Sequence, residues 1–147
     1  MKTRLLHQEG GLRTYVVVLE IGDEIMSCLG KVARSEQLSA AQITAIGAFS
    51  EATLLFFDWE SREYQPIPVT EQTEVAALIG DIALDREGEP ALHVHAVLGK
   101  RDGTAIAGHL KEARVRPTLE ILVNESPAHL RRLHDPQTGL ALLQPQE

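Results

Sequence analysis

The sequence has a single cysteine, Cys28, among 147 residues. An internal disulfide is therefore excluded, and a reducing, cytoplasmic setting is expected. Long apolar runs are also missing. "YVVVL" and "LLFF" are far too short to span a bilayer, and the opening Met-Lys-Thr-Arg-Leu-Leu-His-Gln-Glu has no apolar core of the kind a secretory signal needs. No membrane role is expected. Positive charge is scarce: 14 Lys and Arg stand against 21 Asp and Glu, for a net charge of -7. Nucleic-acid binders draw affinity from neutralising phosphates, so an acidic chain starts at a disadvantage there. Nucleophile and phosphate signatures are absent too. There is no G-x-S-x-G, phosphate loop, dinucleotide fingerprint or Cys–His pairing pattern. Repeats, low-complexity tracts and an interdomain linker are likewise missing.

What is present reads as one domain. A chain of this length buries enough surface to sustain a core without staples. "RTYVVVLEI" is almost wholly apolar and predicts a central strand covered on both faces. In "GDEIMSCLGKVARSEQLS", Asp23 suits a helix cap and Glu24 the positive end of the helix dipole. Ile25, Leu29, Val32 and Ala33 then share one helical face, and Cys28 joins them as a core residue. "AQITAIGAF" and "EATLLFFDW" predict two strands around a turn near Phe49–Glu51. "REYQPIPVT" predicts an edge strand, because Pro66 and Pro68 cannot donate to a ladder. "EVAALIGDIALD" predicts a longer strand, with Gly80 marking a bulge or a close contact. "TLEILV" predicts another strand, "SPAHLRRLHD" a short helix capped by Ser126, and "TGLALL" a last strand.

The sum is an α+β domain. Its sheet is mostly antiparallel, of seven or eight strands, with one main packed helix. Residues 1–124 form the domain, and 125–147 are a C-terminal extension packed on it. One helix covers only one sheet face, so self-association is expected. Trp59 is expected to cap the core edge. His7, His129 and His134 are read as surface residues, and Arg131 and Arg132 as either exposed or paired across a subunit contact.

The densest chemistry lies in "HVHAVLGKRDGTAIAGH", which holds His93, His95 and His109. Residues two apart on a strand share a face, about 6.6 Å apart along its axis. "GKRDG" supplies turn chemistry. If Leu98 pairs with Thr104, His93 lies opposite His109 and His95 opposite Ala107, and all three rings converge. A slip of one residue sends His109 to the other face and abolishes the cluster. Gly108 leaves room for a bulge or for the close approach of another chain. Three imidazoles with an open fourth position suit a divalent transition metal, zinc first. The plain alternative is three unrelated histidines on a polar face or in hydrogen-bonded core positions. Glu120, amid apolar strand residues, is the candidate catalytic carboxylate; otherwise it faces solvent. Between Gly99 and Pro117 five cations outnumber two acids. Lys111, Arg114 and Arg116 are therefore candidate anion-binding residues, unless this is simply a solvated stretch.

Taken together, "GDEIMSCLGKVARSEQLS", "AAQITAIGAFSEATLLFFDWESREY" and "HVHAVLGKRDGTAIAGHLKEARVRPTLEILV" resemble, in that order, the plants-and-prokaryotes conserved domain. This family is also called PPC or PD1-like. The resemblance runs from Leu12 to Val123. It implies an α+β fold assembled as a homotrimer. It also implies a metal site, commonly zinc, at the histidines of H-x-H and G-G-H. Here His93 and His95 match the first motif and His109 the second, with Ala107 in place of the first glycine. The resemblance further supports Glu120 near the site. Bacterial relatives carry a DNA-binding label because the plant members place an AT-hook before the domain. This chain shows no Arg-Gly-Arg-Pro core, and minor-groove reading needs such inserted basic side chains. Two functions follow as expectations. One is a trimeric binding or regulatory module with DNA as a possible partner. The other is a metal-dependent enzyme or sensor for a small anionic or carbonyl-bearing ligand.

Overall fold

The structure, a computed structural model, describes residues 1–145. Nine strands and one helix follow in the order β1 (Lys2–Glu9), β2 (Leu12–Leu19), α1 (Ile25–Ser35), β3 (Ala40–Asp58), β4 (Glu63–Val69), β5 (Thr73–Leu84), β6 (Pro90–Gly99), β7 (Ala105–Glu125), β8 (Arg131–His134) and β9 (Ala141–Gln144). All pairings are antiparallel except the short contact of β5 with β8. The α+β class stands, with nine strands rather than seven or eight. No helix among the described residues is long and apolar enough to cross a membrane.

Two strands go beyond those expected: β8, near the C-terminus, and β1. All eight β1 residues are exposed. It therefore carries no alternating signal, and backbone pairing to β2 is what makes it a strand. The burial pattern corrects the reading of β2 as covered on both faces. Tyr15, Val17 and Leu19 are buried on one face, while Val16 and Val18 on the other are only half-buried. Near its C-terminus, "SPAHLRRLHD" is not a helix. Arg131–His134 form β8, which pairs with β9 and touches β5 at Leu84. Pro66 and Pro68 lie in β4, which pairs only with β3, as an edge requires.

Two long strands replace four expected ones. "FSE" lacks the Gly, Asn or Asp that a tight hairpin turn demands, so β3 runs through it for 19 residues. It bends instead, by register shifts against β7 on either side of Phe49. β7 likewise continues through Pro117. There Arg116, Pro117 and Thr118 face only Ala48, because Phe49 pairs with Val115 and Gly47 with Leu119. A proline at such a bulge leaves no ladder bond broken.

Because both strands bend, each serves two neighbourhoods. β3 pairs with β5 and β7, β5 with β6, and β6 with β7. The sheet thus closes on itself through a ring of four strands. Gly80 permits part of this closure, since a Cβ there would collide with the His93 carbonyl oxygen of β6. Inside lie Phe49, Leu54, Leu78, Ile82, Leu98, Leu110 and Leu119, each at most 1% exposed.

α1 packs on β6 and β7 through Ile25, Leu29, Val32 and Ala33, all buried, with Cys28 among them. Its cap is Glu24 rather than Asp23. The Glu24 carboxylate accepts from the Met26 and Ser27 amides at 3.0 and 2.7 Å, satisfying two of the helix's unpaired donors. Asp23 instead accepts from the Glu20 amide and pairs with the N-terminal amine. Burial pushes the Cys28 thiol above its usual pKa, which keeps it protonated and inert.

Phe49 is fully buried where β3 bends. Phe49→Ala is expected to cost about 3–5 kcal/mol in urea unfolding through the cavity it leaves. A loss below about 1 kcal/mol would mean that the bend does not depend on this ring.

Candidate metal centre

His93 and His95 project from β6, and His109 from β7. The observed register places His95 opposite His109 and Gly99 opposite Ala105. This is two residues from the expected pairing, because the connection spans Lys100–Thr104, closed by the Lys100 amide on the Thr104 carbonyl. A two-residue shift preserves the face, so the rings still converge. Their centroids lie 5.0, 5.1 and 5.3 Å apart. One ring nitrogen from each histidine falls within 4.8 Å of the other two. The His93 and His95 Nε2 atoms are 3.2 Å apart.

Gly108 admits β3 of the same chain rather than another chain, since a Cβ would lie 2.9 Å from the Leu55 carbonyl oxygen. With β3 this close, the His109 ring is half-buried and leans on Tyr64 of β4, centroid to centroid 5.2 Å. Desolvation, then the neighbouring His93 and His95 and the more distant Arg132, depress the His109 pKa to about 4. Desolvation and His93 also lower that of His95. Both rings are thus neutral at pH 7, the form that ligates metals. The His109 Nδ1 atom is buried without a hydrogen-bond partner among the described residues. An orphaned imidazole nitrogen beside two further imidazoles fits a bound ion, and three nitrogen donors suit zinc or a similar transition metal.

Sequence reasoning missed two residues beside this cluster. Asp81 of β5 pairs in register with His93, its carboxylate 3.8 Å from His93 Nδ1. Arg132 of β8 is only 9% exposed. Its Nη2 donates to both Asp81 oxygens at 2.8 and 2.7 Å and to His93 Nδ1 at 2.9 Å. Burial works to raise the Asp81 pKa, but His93 and Arg132 outweigh it and hold it below the usual carboxylate range. The available signals were weak. Asp81 is the one acid in the run from Val75 to Leu84, whereas nothing local marks Arg132.

Other candidates lie elsewhere. Glu120 is not in the cluster. It sits 11 residues further along β7, opposite Val18 and Ile46, beside a shallow exposed groove. The Arg114 guanidinium donates to the Gly22 carbonyl and lies 3.9 Å from Glu51, in a pocket it shares with Glu24, Glu51 and Glu112. Lys111 and Arg116 are exposed. Trp59 does not cap the core. It is 56% exposed at the β3–β4 turn, with the Arg62 guanidinium 3.8 Å above its ring. His129 meets Ser39 Oγ at 2.7 Å, and Arg132 pairs within its own chain.

The depressed His109 pKa has a stability consequence. Between about pH 6.5 and 4 the unfolded chain binds a proton that the folded, metal-free protein refuses, so stability falls on acidification through that window. Urea midpoints of the metal-free protein should drop from pH 7 to pH 5, and His109→Asn should lessen the drop. An equal drop in both proteins would remove His109 as its source.

Comparison with known proteins agrees with the fold. The family described as the Plants and Prokaryotes Conserved (PCC) domain matches residues 6–127. A metal-containing protein from Archaeoglobus fulgidus shares 31% identity over 90% of this chain and 93% of its own, with a TM-score of 0.83. A protein from Ralstonia eutropha JMP134, described as a "putative DNA-binding protein", shares 31% over 90% and 91%, also at 0.83. A plant- and prokaryote-conserved protein from Pyrococcus horikoshii shares 28% over 99% and 96%, again at 0.83. No curated protein sequence matches the chain. The matched span takes in the helix, the closed ring and all three histidines, and the chain belongs to the plants-and-prokaryotes conserved domain family.

Proposed function

We propose that this chain is a trimeric binding or regulatory module whose His93, His95 and His109 hold a divalent transition ion, Zn²⁺ first. The observation that carries this reading is the convergence of three imidazoles, with the buried His109 Nδ1 left without a hydrogen-bond partner among the described residues. His93 and His95 project from one strand and His109 from the next, so these three side chains would hold the ion, with His95 the exposed one of the three. A bound ion would act there as a Lewis acid or activate a water. Around it, Tyr64 walls one flank and Arg132 with Asp81 the other. The ligand class that suits an open cationic position is a small anionic or carbonyl-bearing molecule. The metal-containing Archaeoglobus relative supports the reading.

Self-association is part of the proposal. On the outer face a register row runs Val16, Leu122, Thr44, Ile79, His95. Ile79 and Ile46 are 60% and 62% exposed, and Leu122 is 45%. An apolar stripe on a sheet face with no covering helix is what a second copy would bury, and it ends at the histidines.

Association with DNA is the second reading, favoured by the description of the Ralstonia relative. The net charge of -7 opposes it.

Protein purified without a histidine tag should carry about one Zn²⁺ per chain by elemental analysis, and His93→Ala should carry little. Equal metal content in both would remove the site. Ile79→Glu should shift the assembly to a smaller species in light scattering; an unchanged mass would place the subunit contact elsewhere. Affinity for duplex DNA should stay weak, with little dependence on salt. A steep negative slope of log affinity against log salt would restore the DNA reading.

A further inference from the structure

Arg132 stands beyond residue 127, where the family match ends, yet it is the buried cation that touches the histidine cluster. Its Nη2 atom lies 2.9 Å from His93 Nδ1. A guanidinium has five donors and no acceptor, so Nδ1 must accept. The proton of a neutral His93 therefore sits on Nε2. That atom lies 3.2 Å from His95 Nε2, whose lone pair accepts the hydrogen bond. With no ion on His93, the hydrogen bonds would run in one direction, from Arg132 through His93 to His95.

Resting on the metal-site reading, we propose that Arg132 is a brake on metal uptake at this centre and Asp81 its release. His93 can offer the Nε2 lone pair, which faces His95, only when its proton is on Nδ1. The change conserves the ring's protons: one leaves Nε2 for solvent and one arrives at Nδ1. Nδ1–H can no longer accept from Arg132 and would face a cationic donor at 2.9 Å. The acceptor it needs is the Asp81 carboxylate, now 3.8 Å away and engaged by the guanidinium through both oxygens. A carboxylate holding Nδ1–H fixes the ligating tautomer and makes the ring a better donor. Asp81 therefore serves two claimants. While Arg132 holds it, His93 stays in the non-ligating tautomer. Once Asp81 turns to His93, the ligand lone pair is presented. Arg132 and Asp81 are positioning residues that act through His93 and push in opposite directions.

The opposite signs give the test. With Zn²⁺ as probe, competed against a chelator, Asp81→Asn should bind about 10–100-fold more weakly than wild type. Arg132→Met should bind about tenfold more tightly, the scale of one charge-assisted hydrogen bond that no longer has to be broken. Two residues that merely stabilised the fold would shift affinity the same way, so weaker or unchanged binding by folded Arg132→Met overturns the proposal; because charge alone also gives opposite signs beside a dication, the His93 tautomer in ¹⁵N NMR of the metal-free protein must be Nε2–H as well. Should that variant fail to fold, ¹⁵N NMR of metal-free wild type decides. The expected result is His93 as the Nε2–H tautomer, and Nδ1–H overturns the brake. Wild type that takes up no Zn²⁺ would instead refute the metal reading, while the tautomer measurement would still decide the direction of these hydrogen bonds.

Discussion

The antiparallel register of β6 on β7 is the constraint on which the rest depends. With His95 opposite His109, three rings from two strands meet on one face. Shifting the pairing by two residues keeps the face, and shifting it by one destroys it. The five-residue connection Lys100–Thr104 holds the register at one end, and the close approach of β3 at Gly108, where a Cβ would crowd the Leu55 carbonyl oxygen, restricts it at the other. The closed ring of β3, β5, β6 and β7 then removes slack, because a slip in one pair would have to propagate through all four.

The surroundings of the histidines show how burial and chemistry are coupled. β3 and β4 dehydrate His109 from one side, so its ring is neutral over the physiological range. On the other side the C-terminal hairpin brings in a buried guanidinium. A lone buried cation would be costly, and Asp81 offsets its charge through two short hydrogen bonds. That pairing also determines which nitrogen of His93 bears a proton. The β3–β4 turn and the C-terminal hairpin are themselves linked, since Arg62 donates to the Gln137 carbonyl. Each element that shapes the site therefore touches another that does.

Much of this was legible in the residues. Helical spacing marked α1, the prolines marked β4 as an edge, and H-x-H with a third histidine at matching parity marked the cluster. Illegible features share a physical cause. β1 is a strand because β2 offers it unpaired backbone, and its exposed side chains record nothing of that. β3 and β7 look interrupted in sequence, but bulges bend a strand without ending it. Glu120 looked anomalous among apolar neighbours, yet its position is an outer-face one, opposite Val18 and Ile46, away from the histidines.

By itself the sequence determined what is local and periodic: the α+β class, the amphipathic helix, a turn within Gly99–Gly103, and the parity that puts three histidines on one face. The tertiary structure alone decided the closure of the sheet, the cap at Glu24 and the company the histidines keep. Asp81 and Arg132 are 51 residues apart in the chain. No spacing rule relates them, because their meeting depends on β5 pairing with β6 on one side and touching β8 on the other.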